Sequence, residues 1–335
     1  MRHLLSVTAL VFMAILALSS CRAGTAGMSA PELEPAVATP SSSSQTPAPP
    51  DPTTTTPAPS SSSAPQSTSQ RTSTSVPTQA ATSAAAAMQY GVPAGTKLTP
   101  SGSITATPGQ VIENLDITGH VYVGSGVHGV VIRNSRISGD GGVAWGIETA
   151  DDGSVSADHV TLRGNFTDAA VAYNNVTVTH ADIYGMTNDG AKVGNNFTMT
   201  DSWLHDFTPE TGAHADALQI MERVANVLIQ RNLIDPGTGG PWSDTDSQDR
   251  SVNSALILND ALDQGTAGRV VIDSNVIGGG GYTVYFTLPG DTRFTNNQFV
   301  RDSYLWGPVD PRASADVWSG NKFSDNGETI VAPVK

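Results

Sequence analysis

The chain has 335 residues and a formal net charge of −14, from 17 Lys and Arg against 31 Asp and Glu, with 33 Gly and a single Cys. A surface this short of cations lacks the basic footprint that nucleic acid demands, and an anionic polymer would need a local basic groove or a bound cation. One cysteine excludes an intrachain disulfide framework.

Taken in order, the chain opens with Arg2, an apolar run from Leu4 to Leu18, and Leu18-Ser19-Ser20-Cys21. The run is too short to span a bilayer and reads as an export signal over residues 1–21. Its last four residues resemble a bacterial lipoprotein lipobox. The resemblance implies cleavage before Cys21 and a lipid on its sulfur. The expected location is then the outer face of the bacterial cell membrane or the cell surface, with the lipid as the only membrane contact. Residues 22–88 are dominated by Ser, Thr, Pro and Ala. Too few large apolar residues are present to offset the entropy of ordering, so a disordered linker is expected. Residues 89–335 are long enough to enclose a core of their own and are read as one monomeric domain.

From Gln110 to Phe323 one phrase recurs: an apolar residue, then another five positions on. It is seen in Ile112/Ile117, Ile132/Ile137, Val178/Ile183, Met199/Leu204, Ile229/Ile234, Ile272/Ile277, Phe294/Phe299 and Trp318/Phe323. A fixed period of this kind marks a solenoid. The long steps from Ile137 to Ile183 and from Ile234 to Ile277 read as double units, and that from Leu204 to Ile234 as a unit with an insertion. Runs such as Val130-Val131-Ile132 and Val176-Thr177-Val178 alternate with Gly, Asn and Asp clusters, the pattern of short strands. No helical periodicity is sustained. The expected fold is all-β, a parallel β-helix of roughly eight to ten coils. Residues 91–117 are expected to cap its open end. Asn232, Asn275, Asn297 and Asn321 stand two positions before a closing apolar residue, where a left-handed turn would suit them.

A second strand follows each phrase. The alignment is Trp145–Glu148, Asp168–Val171, Asp189–Lys192, Asp216–Gln219, Ser254–Ile257 and Tyr282–Tyr285. The third position of each is apolar and expected inside; the fourth is expected outside. Stacked coils would then set Glu148, Val171, Lys192, Gln219, Ile257 and Tyr285 in an outer ladder.

Four segments carry a wider resemblance: Gly91-Val92-Pro93-Ala94-Gly95-Thr96, Val131-Ile132-Arg133-Asn134-Ser135-Arg136-Ile137, His214-Ala215-Asp216-Ala217-Leu218-Gln219 and Gly281-Tyr282-Thr283-Val284-Tyr285. With them the chain resembles the right-handed parallel β-helix proteins of the pectate-lyase-like superfamily, and is similar to secreted actinobacterial β-helix proteins. The resemblance implies a fold that hosts lyases, hydrolases, epimerases and binding proteins alike. The pectate-lyase signature, the paired aspartates of β-helix galacturonases and the epimerase-type Asp-Pro-His are not found.

The richest polar stretch runs from His205 to Arg223 and includes Asp206, Glu210, His214, Asp216, Gln219 and Glu222. His214 and Asp216 share parity and are expected to approach each other. Elimination from a uronate needs a base and a group that neutralises the carboxylate. Lys192 or His214 would be the base. Arg223, or Ca²⁺ held by Asp189 and Asp216, would be the neutraliser. Hydrolysis needs two carboxyl groups about 5–9 Å apart, for which Asp189 and Asp216 are the pair and Glu148 or Glu222 the helper. Trp203, Trp242, Tyr173 and Tyr285 are candidate sugar-stacking faces. Trp145 and Trp318 are expected in the core or caps. The loop Asp235 to Asn253 would wall a groove or bind calcium through Asp244 and Asp246. The function expected is processing of a polysaccharide or cell-envelope glycan along a lateral face, by a lyase or a hydrolase. The alternative is a non-catalytic carbohydrate-binding or envelope-interaction protein.

Overall fold

The computed structural model describes residues 89–221, 223–245, 247–259, 266–313 and 315–331. Cys21, Glu222 and Asp246, with the export signal and the linker, lie outside the described residues.

Among the described residues, twenty-eight short strands wind into three parallel sheets of ten, nine and nine strands. The first runs from Thr99–Ser101 to Lys322–Phe323, the second from Ile104–Thr105 to Gly307–Val309 and the third from Val111–Glu113 to Val317–Ser319. Successive strands lie in different sheets, and each pairs with strands one coil away up to the last strand of its sheet, so this is the expected parallel β-solenoid. No helix among the described residues is long and apolar enough to cross a membrane.

The recurring phrase is the join between the third sheet and the first. Its opening residues stack as Ile132, Ala157, Val178, Met199, Ile229, Ile272 and Phe294. All are essentially shielded from water, which is the main favourable term in folding. The step from Ile137 to Ile183 is indeed two coils, with Ala157 and Leu162 as the intervening pair. The step from Ile234 to Ile277 is not: the two residues are direct register partners. That stretch is one coil carrying a long loop, which periodicity alone does not distinguish from a double unit.

Two further expectations are corrected. Residues 91–117 do not simply close the end. Thr99–Ser101 and Ile104–Thr105 are the first strands of their sheets, while the segment before them lies along the side of the solenoid. There Gly91 N–H donates to the His180 carbonyl, Val92 N–H donates to Thr161 Oγ1, and Tyr90 packs on Trp203. Nor do Asn232, Asn275, Asn297 and Asn321 adopt the left-handed conformation. Their predecessors Arg231, Ser274, Asn296 and Gly320 do. The asparagines are buried and bond to one another up the stack. Asn275 Nδ2 donates to Asn297 Oδ1 and to the Ile229 carbonyl, each at 3.0 Å, while Asn275 Oδ1 accepts from Asn232 Nδ2 at 3.0 Å and from Asn232 N–H at 2.9 Å. Amide groups removed from water must be paired in this way.

On the second sheet the alternation is broken in a way that builds the site. The second and third positions both face the core: Ala217 with Leu218 and Ala255 with Leu256 belong to it. The first and fourth positions therefore share the outside. Asp189 reaches Lys192, and Asp216 reaches Gln219, three residues apart. The expected register holds for every aligned strand except one. Ala169, not Asp168, pairs with Trp145 and Asp189, so Ala172 replaces Val171 in the outer ladder. Asp168 sits one residue earlier, at the strand entrance.

Candidate functional site: an acid–lysine–amide network beside an aromatic cluster

The outer face of the second sheet carries a continuous hydrogen-bonded network. Lys192 sits at its centre. Its ammonium donates to Asp189 Oδ2 at 2.8 Å and Gln219 Oε1 at 2.7 Å, and lies 3.0 Å from Asp168 Oδ1. Trp145 Nε1 donates to the other oxygen of Asp168 at 2.8 Å. Gln219 Nε2 donates to Asp216 Oδ2 at 3.0 Å. Asp216 Oδ1 accepts from Asn253 Nδ2 at 2.8 Å and Ser254 Oγ at 2.5 Å. Asp189 Oδ1 accepts the Asp216 backbone N–H at 2.8 Å. The donors and acceptors come from five successive coils.

Burial is what gives these groups unusual acidity. Asp216 is 1% exposed. Burial, then the neighbouring charge of Asp189, push its carboxyl up to about 7 against hydrogen bonds from Ser254, Gln219 and Asn253. Asp189 is also pushed up by burial, but Lys192 and the Asp216 N–H oppose the rise. The donors Asn253, Ser254 and Gln219 on Asp216 are neutral whereas Asp189 meets the Lys192 ammonium, so the proton of this pair resides on Asp216. Burial works against the Lys192 ammonium, yet Asp189 and Asp168 outweigh it and raise its pKa. Lys192 is therefore a cation whose ammonium is engaged by Asp189, Gln219 and Asp168. Farther along the face, burial raises Glu148, and burial together with the charges of Asp216 and Asp310 pushes Tyr285 up to about 12.

An aromatic cluster adjoins the network. Tyr285 and Tyr282 meet edge to face at 5.5 Å, Tyr282 meets Trp306 at 5.7 Å, and Trp306 meets Trp242 at 5.9 Å. Trp242 and Trp306 remain 48% and 47% exposed. The Trp306 ring lies so close to Gly281 that a Cβ there would collide with it. Both tryptophans, with His214, Asp249, Ser251 and Asn253, line a concavity of about 230 Å³. Asn253 thus belongs to both features.

The structure brings Lys192, Asp189, Asp216 and Gln219 together. Glu148 lies two coils before Lys192, through Ala172, and Tyr285 two coils after Gln219, through Ile257. His214 is exposed and lines the neighbouring concavity, while the oxygens of Asp216 accept from Asn253, Ser254 and Gln219. Arg223 lines a different hollow, with Asn195, Ala225 and Gly268. His205 ends a strand of the first sheet and Asp206 follows it; His205 stacks on Trp203 at 3.7 Å and bonds Asp182 and Asp206. Tyr173 meets Trp145 at 5.7 Å, so Trp145 is an outer-face residue, whereas Trp318 stacks on Phe294 near the end of the solenoid. The donor set does not suit calcium between Asp189 and Asp216, because an ammonium already binds the first and three neutral donors enclose the second. Trp306, Tyr282, Asn253 and Ser254 were not among the expected site residues. For Asp168 the signal was one residue of register; for Trp306 the sequence holds none.

No protein-family model matches the chain, and comparisons with curated proteins and with solved structures return no significant match.

Proposed function

We propose that this protein engages a polysaccharide along the outer face of the second sheet and hydrolyses a glycosidic bond there. The observation that carries the reading is Asp216, a carboxyl pushed up to about 7, beside Asp189 and Asp168, whose oxygens both meet the Lys192 ammonium. Glycosidases use such a division: one carboxyl gives a proton to the leaving oxygen and an ionised one acts on the sugar. Asp216 is the proton donor in this reading. Asp189 keeps the proton on it, and the more exposed Asp168 is the carboxylate facing the sugar. Trp242, Trp306, Tyr282 and Tyr285 supply apolar faces with polar edges for a glycan to rest on. Elimination is less well supported, because the ammonium that would neutralise a uronate is already engaged. The winding and the chemistry suit the pectate-lyase-like superfamily, and the Leu18–Cys21 motif suits display on the outer face of the cell.

One observation favours a second reading, non-catalytic glycan binding: Asp216 is 1% exposed beneath its donors. A panel of neutral and acidic polysaccharides separates the two. New reducing ends support hydrolysis; an unsaturated uronate product would replace it with elimination; retention without products would leave binding alone.

A further inference from the structure

We propose that Asp158, His159 and His180 form a binding site for a divalent transition metal such as Zn²⁺, on the turn between the third and first sheets and independent of the glycan face. One ligand atom from each of the three lies within 4.8 Å of those of the other two. His159 Nδ1 is 2.9 Å from Asp158 Oδ2, and His180 Nδ1 is 2.8 Å from Asp158 Oδ1. The imidazoles stack at 4.5 Å with planes 20° apart. All three side chains are open to solvent, so an ion has a path in.

The placement follows from the solenoid. Asp158 and Thr179 are register partners on adjacent coils, and each is followed by a histidine. Both histidines occupy the left-handed turn position, with φ of 51° and 49°. On other coils that position holds Asn114, Asn134, Asp201, Arg231, Ser274, Asn296 or Gly320. The two imidazoles are thus stacked one coil apart with a carboxylate between them. Thr179 Oγ1 donates to Asp158 Oδ1 at 2.7 Å and helps to fix that carboxylate.

Two imidazoles and one carboxylate are a borderline donor set, suited to Zn²⁺, Ni²⁺ or Cu²⁺ rather than to Ca²⁺ or Mg²⁺. Zinc bonds of about 2.0–2.1 Å place tetrahedral donors about 3.4 Å apart. The present nitrogen–oxygen separations are a little shorter, so the side chains rotate to admit the ion, the two stacked rings tilting to turn their Nδ1 lone pairs toward it. Each Nδ1 must then present its lone pair, with the ring proton on Nε2. Three protein ligands leave the fourth position to water. The metal would tie two adjacent coils together.

The test is a calorimetric titration of the untagged full chain with ZnCl₂, alongside H159N, H180N and the double variant. Asparagine already occupies this turn on other coils, so these variants keep the fold. The expected result is one high-affinity Zn²⁺ per chain, weakened at least tenfold in each single variant, undiminished by excess Ca²⁺, and accompanied by a rise in melting temperature in the unmutated protein alone. In imidazole NMR spectra the resonances of His159 and His180 should move together while those of His120, His128 and His214 stay. Equal zinc affinity in the double variant, or shifts confined to other histidines, would overturn the proposal.

Discussion

Lys192 Nζ lies 2.7 Å from Gln219 Oε1, although 27 positions separate the two residues in the chain. One turn of the solenoid closes that gap, and the same contact joins the lysine-bound end of the network, Asp168 and Asp189, to Asp216, which Gln219 also bonds.

Lys192→Met tests the centre of the network. It leaves Asp168 and Asp189 without their cation on a largely buried face. Removing one partner of such a set costs about 3 kcal/mol. Urea unfolding at neutral pH should show a loss of that order, with the deficit shrinking as acid protonates the aspartates.

Asp216 makes stability depend on pH with a definite sign. Its carboxyl is raised from 3.8 to about 7 on folding, so the native state binds the proton more tightly than the unfolded chain. The contribution is full below pH 3.8 and is lost as pH rises through about 7. Asp216→Asn mimics the protonated form. Melting temperatures measured from pH 4 to 8 should fall for the unmutated protein and flatten over that window in the variant.

The asparagine stack is a structural prediction. Asn275→Ala leaves Asn232 N–H and Nδ2 without their shared acceptor and takes the Nδ2 donor away from Asn297 Oδ1 and the Ile229 carbonyl, while the backbone N–H of residue 275 still reaches Asn297 Oδ1. Unpaired buried amide groups cost about 1–3 kcal/mol each. Denaturant unfolding should register a loss in that range or above. Asn296→Ala, at the adjacent left-handed position, disturbs the backbone rather than this ladder.

Trp242→Ala and Trp306→Ala address the aromatic cluster. An exposed aromatic anchor is worth upwards of about 1.4 kcal/mol, or tenfold in affinity. Each variant should weaken retention of the bound glycan by about that factor while leaving the melting temperature unchanged.

The solenoid was legible because its signal repeats. Each phrase places two apolar residues around one turn, and a dozen weak strands reinforce one reading. The pairing of Lys192 with Gln219 followed from the same alignment. Insertions defeated it: the long coil from Ile234 to Ile277 read as two, and the loop in it carries Trp242. The asparagines were read as turn formers because local propensity says nothing about a neighbour one coil away. Trp306 joins the site through a close approach to Gly281, which no local pattern encodes.

The most direct measurement is the release of reducing ends from a polysaccharide that the protein retains, compared between the unmutated chain and Asp216→Asn across pH 4–9. Hydrolysis by the network predicts turnover that declines as pH rises through about 7 and a variant that still binds the glycan but no longer cuts it. Equal turnover by Asp216→Asn, or an unmutated profile unaffected by pH around neutrality, would contradict the assignment of Asp216 as the proton donor.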